Sequence, residues 1–356
     1  MNHLTSIREK LTLAEALLIT DEKNQRYACG FPFTDGFILV SREKAWLLTD
    51  SRYTEAASRT VGTDVTILQF DNTHPKEAML KQLLQDEHLQ KVAAEDQKLS
   101  HSAYVRLEKQ LGLTLMPAGD LMTQLRASKD AEEIAFMKQS QAISEKALEE
   151  TLQVIHPGMS EKEVAAELVY RMLRSGSEGN AFDPIVVTGK NTSLPHGVPG
   201  DSILQPGDFL TMDFGSLKGG YCSDMTRTVA VCSSTEEMRN IYAIVLKAQL
   251  AGIRAAKSGI PGCEIDAAAR RVIQDAGFGD CFGHGFGHSL GLDIHERPNL
   301  NPREKSPMPE NAVVSAEPGI YLPGRFGVRI EDVMILRPDG SEVITKAPKD
   351  SLLTVG

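Results

Sequence analysis

Four carboxylates and four histidines carry the chemistry legible in this sequence. Asp213 follows the apolar run Phe209-Leu210-Thr211-Met212, and Asp224 lies beyond a turn rich in glycine, at Gly215, Gly219 and Gly220. Glu317 ends a second apolar run, Ala312-Val313-Val314-Ser315-Ala316. Glu331 lies in the return segment Gly327-Val328-Arg329-Ile330-Glu331-Asp332-Val333. A carboxylate in an apolar strand is costly to bury unless it is paired or binds a cation. Two on neighbouring strands repel each other, which raises that need. Two hairpins that each supply two carboxylates suit two divalent ions bridged by oxygen. Pairing with Arg227, Arg329 and lysines is the alternative, and it accounts for one hairpin more easily than for both.

The segment Gly283 to His295 offers nitrogen donors, with His284, His288 and His295 inside twelve residues and glycines alternating among them. Glycines there permit close backbone approach. His196 stands in a turn context, Leu194-Pro195-His196-Gly197. One imidazole with four carboxylates suits manganese or cobalt, with zinc and iron as alternatives.

A rival chemistry uses the same segment. Gly287-His288-Ser289-Leu290-Gly291 matches the G-x-S-x-G elbow of serine hydrolases, which would make Ser289 a nucleophile. That elbow needs a helix after it and an acid and a histidine downstream. Here Pro298 and Pro302 follow, and no histidine comes after His295. His295-Glu296-Arg297-Pro298 is not the H-E-x-x-H zinc helix, and neither G-x-G-x-x-G nor a P-loop is present.

The elements that must position these groups form two domains. Residues 1–126 read as mixed α/β, with strands expected at Ala16–Thr20, Gly36–Val40, Ala45–Thr49, Val65–Phe70 and Lys91–Ala94, and helices such as Pro75–Gln85 and Ser100–Leu111. Composition turns polar at Arg126–Asp130, and a boundary there gives a second domain of residues 127–356. That domain contains an internal repeat. Glu132-Glu133-Ile134 recurs as Glu236-Glu237-Met238, and Pro157-Gly158 as Pro261-Gly262, both at an offset of 236 − 132 = 261 − 157 = 104. Each copy reads as a long helix, a Pro-Gly break, a second helix ending at a glycine (Gly176 or Gly277), and then strand, turn, strand. Ser160 with Glu163 reads as a capping box. Duplication implies a pseudo-twofold domain with the site between its halves.

Composition narrows the partners. The formal charge of 38 − 48 = −10 argues against nucleic acid or an anionic membrane. No run approaches the ~20 apolar residues of a membrane span, and residues 1–11 lack an apolar signal core. Five cysteines without C-x-x-C fit a reducing compartment. A cytoplasmic protein is expected.

These motifs resemble the pita-bread metallopeptidases, in their proline-specific branch of prolidase and aminopeptidase P. The resemblance is carried by Met212-Asp213-Phe214-Gly215, Ser223-Asp224-Met225-Thr226-Arg227-Thr228, Gly287-His288 through His295-Glu296, Glu317-Pro318-Gly319-Ile320-Tyr321 and Val328-Arg329-Ile330-Glu331-Asp332. The first domain is more weakly similar to that of the same branch and of creatinases, as in Asn24-Gln25-Arg26-Tyr27. The resemblance implies an α/β fold: a small creatinase-like domain, then a pita-bread domain of duplicated halves. It implies Asp213 as ligand to one metal, Asp224 and Glu331 as bridges, and His288 and Glu317 as completing the second. A bridging hydroxide would attack, with Glu317 orienting it and moving its proton. His196 and His295 would contact the scissile carbonyl or the proline side, with His284 and Arg329 at further substrate positions. The implied activity is cleavage before proline in dipeptides or short peptides by a homodimer. Manganese is the expected metal, with cobalt or zinc as alternatives. A pita-bread binding protein without catalysis is a further alternative. Phe286 and Ser289 replace a common threonine and glycine beside His288, and the resemblance makes them candidates for reshaping the pocket. Cys232 and Ala316 are further departures, where a glycine and a larger aliphatic residue are common.

Overall fold

Short runs rich in leucine and β-branched residues form the strands of the N-terminal part: β1 (Ala16–Ile19), β2 (Gly36–Ser41), β3 (Ala45–Thr49), β4 (Val65–Gln69), β5 (Val92–Ala94) and β6 (Met116–Pro117). They make one sheet in the order β4-β3-β2-β1-β5-β6, antiparallel at β1–β2 and β2–β3 and parallel elsewhere. Every residue of β1, β2 and β3 is buried, so both faces of the sheet are covered. The helices are α1 (Leu4–Lys10), α2 (Glu22–Cys29), α3 (Ser51–Thr60), α4 (Lys76–Asp86), α5 (His101–Leu111) and α6 (Leu121–Arg126). The Glu95 carboxylate, just past β5, ties β1 to α2. It accepts from the backbone N–H groups of Thr20 and Asp21 at 2.6 and 2.8 Å and from the Asn24 amide at 2.6 Å.

The computed structural model describes residues 2–356 and separates into two units, Met1–Arg126 and Ala127–Gly356. Among the described residues, no helix is long and apolar enough to cross a membrane.

The second unit repeats one plan twice. Its first half is α7 (Ala131–Leu152), α8 (Glu161–Arg174), β7 (Ile185–Thr188), β8 (Phe209–Phe214), β9 (Leu217–Lys218), β10 (Tyr221–Cys222) and β11 (Met225–Val231). Its second half is α9 (Glu236–Ala255), α10 (Gly262–Asp275), β12 (Gly287–Ser289), β13 (Glu296–Leu300), β14 (Val313–Ala316), β15 (Gly319–Leu322), β16 (Phe326–Arg329) and β17 (Asp332–Arg337). β18 (Gly340–Val343) and β19 (Thr354–Val355) follow. Capping boxes start α7 at Asp130 and α8 at Ser160. The expected helix ends hold: Gly176 and Gly277 have φ of 97° and 85°, where a side chain would be strained.

Each helix pair packs on its own sheet. Leu148, Val164, Leu168 and Met172 cover Leu210, Met212, Phe214 and Val229 of the sheet β19-β11-β8-β7. Ile265 and Ala269 cover Val314, Met334 and Leu336 of the sheet β13-β12-β14-β17-β18. The two expected hairpins are more elaborate than strand, turn, strand. Each is interrupted by a two-stranded ribbon, β9–β10 in the first half and β15–β16 in the second. The first ribbon leaves the sheet where the chain nearly touches itself: a Cβ on Gly215 would lie 2.0 Å from the Ser223 carbonyl oxygen.

A segment after β18 closes the back of the unit. β19 runs parallel to β11, and Ala230 and Cys232 donate to the carbonyls of Leu353 and Val355 at 2.9 and 2.7 Å. The buried Arg227 guanidinium donates to the carbonyls of Ala347, Pro348 and Glu331 and to Asp332. The Lys349 ammonium bonds Asp332 and the Gln249 side-chain oxygen, and the Gln249 amide donates to the Ala316 carbonyl at 3.2 Å.

Candidate metal centre

The four carboxylates sit at equivalent places in the two hairpins. Asp213 lies in β8, opposite Thr226 of β11 and Ile185 of β7. Glu317 follows β14, and 317 − 213 = 104 is the offset of the helix repeat. Asp224 immediately precedes β11, as Glu331 precedes β17. The halves meet here, because the Glu331 N–H donates to the Thr226 carbonyl at 3.1 Å. All nine residues singled out by the sequence line one cavity of about 480 Å³, within the second unit: Asp213, Asp224, His288, Glu317 and Glu331, with His196, His284, His295 and Arg329.

The donor set fits cations. His288 places Nδ1 3.2 Å from its neighbour's carbonyl oxygen, at Ser289. A carbonyl only accepts, so Nδ1 carries the hydrogen and Nε2 presents a lone pair. That Nε2 lies 3.3 Å from a Glu317 oxygen and 3.5 Å from an Asp224 oxygen. Ligand atoms of Asp224, His288 and Glu331 all fall within 4.8 Å of one another. Two ligands at ~2.1 Å from one cation and at right angles would stand roughly 3 Å apart. The buried Asp213 Oδ1 has no hydrogen-bond partner in the protein. Carboxylate oxygens that face one another across the cavity repel until a positive charge sits among them.

Titration directions agree. Burial, then the charges of its carboxylate neighbours, holds Asp224 and Glu331 well above the ordinary carboxylate range. Burial also raises Glu317, against the pull of His284 and Arg329. Burial lowers His284, His288 and His295, which favours neutral imidazoles.

Neighbouring polar groups fix the ligands' orientations. Ser315 Oγ donates to Glu317 at 3.0 Å and accepts the His288 N–H at 3.0 Å. Thr226 Oγ1 donates to Glu331 at 2.7 Å and accepts from Arg329 Nε at 3.1 Å. Arg329 Nη2 donates to Asp213 at 2.6 Å, and its Nη1 to the Tyr321 hydroxyl at 2.9 Å. His284 Nδ1 faces the Gly285 carbonyl, so its Nε2 accepts the Tyr321 O–H at 2.9 Å. The His295 ring stands edge-on to His288, with centroids 4.5 Å apart. Sequence reasoning assigned no role to Thr226, Ser315 or Tyr321. The available signal was a hydroxyl in a buried strand, two residues from a carboxylate in the first two cases.

Two expectations fail beside His288. Ser289 is fully buried, donates to the Val313 carbonyl at 3.0 Å, and does not line the cavity. A loop and then β13 follow it, not a helix, so the serine-hydrolase reading has no support. Phe286 also stays out of the cavity, because its ring fills the space over Gly252 in α9. Of the two arginines weighed as partners, Arg329 does pair with Asp213, whereas Arg227 pairs with Asp332.

Comparison with known proteins shows the family and the fold. The model of metallopeptidase family M24 matches residues 135–338, and that of the creatinase/prolidase N-terminal domain matches residues 4–128. An uncharacterized peptidase of Bacillus subtilis, YqhT, is 35% identical over 95% of this chain and 96% of its own. The structure of an Xaa-Pro dipeptidase from Bacillus anthracis superposes with a TM-score of 0.94 at 38% identity, covering 99% of this chain and 98% of that one. The crystal structure of an X-Pro aminopeptidase from Thermotoga maritima gives 0.92, also at 38% identity, over 98% and 99%.

Proposed function

Because the chain belongs to metallopeptidase family M24, we propose that it hydrolyses the bond before proline in Xaa-Pro dipeptides or short peptides. Two divalent ions would be held by Asp213, Asp224, His288, Glu317 and Glu331, with Asp224 and Glu331 shared between them. The convergence of the His288 lone pair with the Asp224 and Glu317 oxygens carries this reading. Bound there, the ions would supply Lewis acidity and a hydroxide nucleophile, by lowering the pKa of water.

The protein's own groups do the rest. The bond before proline is a tertiary amide without N–H, so the departing proline nitrogen must receive a proton. Glu317, whose carboxylate lines the cavity, suits that transfer. Its Oε1 is oriented by Ser315, leaving the other oxygen to take a proton from water and pass it to the nitrogen. Neutral His295, and His196 on the same cavity wall, would donate to the scissile carbonyl as charge develops on it. Arg329 and Tyr321 hold Asp213 and His284 in place.

Manganese suits one imidazole among four carboxylates. Five cysteines, none in a disulfide, support a cytoplasmic setting. Leu194 and Val198, exposed on either side of His196, support a homodimer that covers them.

The test is a paired assay on metal-stripped protein with manganese restored. Release of the first residue is followed from an Xaa-Pro dipeptide and from an Xaa-Pro-Yaa tripeptide. Manganese-dependent cleavage of either is expected. Dipeptide cleavage alone defines a dipeptidase, and tripeptide cleavage with a slow dipeptide defines an aminopeptidase. Cleavage of neither, while a peptide without proline is cut, overturns the proline assignment.

A further inference from the structure

His288 lies in β12 and His295 ends the loop that runs from β12 to β13, and the strand ladder does not fix their relation. His288 pairs with Asn299, but the next residue, Ser289, pairs with Glu296. The register therefore shifts between the two pairs, and residues 297 and 298 have no partner opposite. Something other than backbone pairing must hold the end of the loop.

Lys129 supplies it. This lysine lies outside every motif and outside the cavity lining, and its side chain is 1% exposed. Its backbone N–H is anchored to the Asn311 carbonyl at 3.1 Å. Its ammonium donates to Glu296 Oε2 at 3.1 Å and to Ser289 Oγ at 3.3 Å. Those are the two residues that face each other across the register shift. The other Glu296 oxygen accepts the Asp293 N–H at 3.1 Å. The carboxylate lies so close to Gly291 that a Cβ there would meet both oxygens at 2.8 Å. One carboxylate thus gathers the loop at Gly291, Asp293 and Glu296, and one buried cation fastens it to β12.

We infer that Lys129 is a positioning residue for the reaction, acting through Glu296 to hold the His295 imidazole against His288 at the cavity wall. The inference rests on the peptidase reading for its rate assay. His288 itself is secured independently, by Ser315 and by the pairing of β12 with β14, so the lysine acts on His295 and leaves metal binding intact. A misplacement of the order of 1 Å in a catalytic group can cost ~100-fold in rate.

A buried ion pair gives a clean separation of roles. Losing one partner leaves an uncompensated charge and destabilises strongly, whereas replacing both can be nearly neutral. Three variants are compared with the wild type: Lys129→Met, Lys129→Arg and the double Lys129→Met/Glu296→Gln. Thermal unfolding, manganese affinity, and kcat and KM on a cleaved peptide are measured. Lys129→Met is expected to melt earlier. The double variant is expected to recover the melting temperature yet keep a kcat ~100-fold below wild type, with KM and manganese affinity within about 3-fold. Lys129→Arg is expected to restore most of kcat. Recovery of kcat together with stability in the double variant would overturn the inference and leave Lys129 purely structural. Loss of manganese affinity in step with kcat would overturn it too, by locating the effect at His288.

A second readout needs no activity. In metal-free protein with labelled histidine, the His295 ring resonance, assigned with His295→Gln, should move in the double variant while those of His196 and His284 stay. An unmoved His295 signal counts against the inference even if no substrate has been found. Failure of the proline reading would show instead as a wild type inert toward Xaa-Pro peptides with the resonance shift intact.

Discussion

At the scale of single residues, the centre is a concentration of acceptors. Asp224, Glu317 and Glu331 are all pushed up by burial before any neighbour is counted. An acid whose folded pKa is raised favours the folded state below its unfolded pKa, near 4. That contribution is lost as pH rises through the folded pKa. In metal-free protein these three groups therefore weaken the fold as pH climbs above the ordinary carboxylate range. Cations compete with those protons, so the stabilisation they give grows over the same interval. The rise in melting temperature on adding manganese should be larger at pH 7.5 than at pH 5.5. Differential scanning fluorimetry at the two values decides this, and an equal or smaller rise at pH 7.5 would refute the assignment of these carboxylates to a cation site. The residues that create the field were legible because carboxylates in apolar strands are conspicuous. Those that aim it, Thr226, Ser315 and Tyr321, were not, because a strand hydroxyl is too common a signal to assign until its partner is known.

Among the elements, a repeat offset of 104 residues gave two helix pairs and two hairpins, and the chain builds both. The short ribbons inside each hairpin were hidden, because strands of two to four residues carry too little periodicity to read. Nor could sequence neighbours of His288 be sorted into cavity and core. Phe286 looked like a pocket residue and is a packing residue, because α9 offers Gly252 beneath its ring. A Cβ on Gly252 would stand 2.2 Å from the ring's far carbon and within 2.7 Å of its neighbours. Overpacking of that kind costs roughly 1–3 kcal/mol. Gly252→Ala should be destabilised by about that amount in urea unfolding, and Phe286→Leu on the same chain should return part of it, since the two residues touch. Additive losses in the double variant would show that the contact does not govern the packing.

Taken as a whole, the second unit is two similar halves that each hold half a cage. The first hairpin gives Asp213 and Asp224, the second Glu317 and Glu331, and the one imidazole among the proposed ligands, His288, comes from the second half. Under the proposed assignment the wild type binds two manganese ions per chain. Asp224→Asn, at a shared position, should leave fewer than one, whereas Asp213→Asn should leave about one. Metal analysis after gel filtration distinguishes them. Equal losses from both variants would remove the distinction between shared and unshared carboxylates.

The backing behind this cage comes from residues far along the chain. Arg227 leans on the carbonyls of Ala347 and Pro348, Lys349 reaches Asp332 and Gln249, and β19 completes the sheet beside β11. A ribosome releases these residues after every proposed ligand has already emerged. The N-terminal unit can close while synthesis continues, but the catalytic unit must wait for residue 355, exposed in the meantime to chaperones and proteases. A message that stops after Glu331 would still encode every proposed metal ligand, and a motif search would score it as intact. The polypeptide made from it would lack the strand and the lysine that hold those ligands in place.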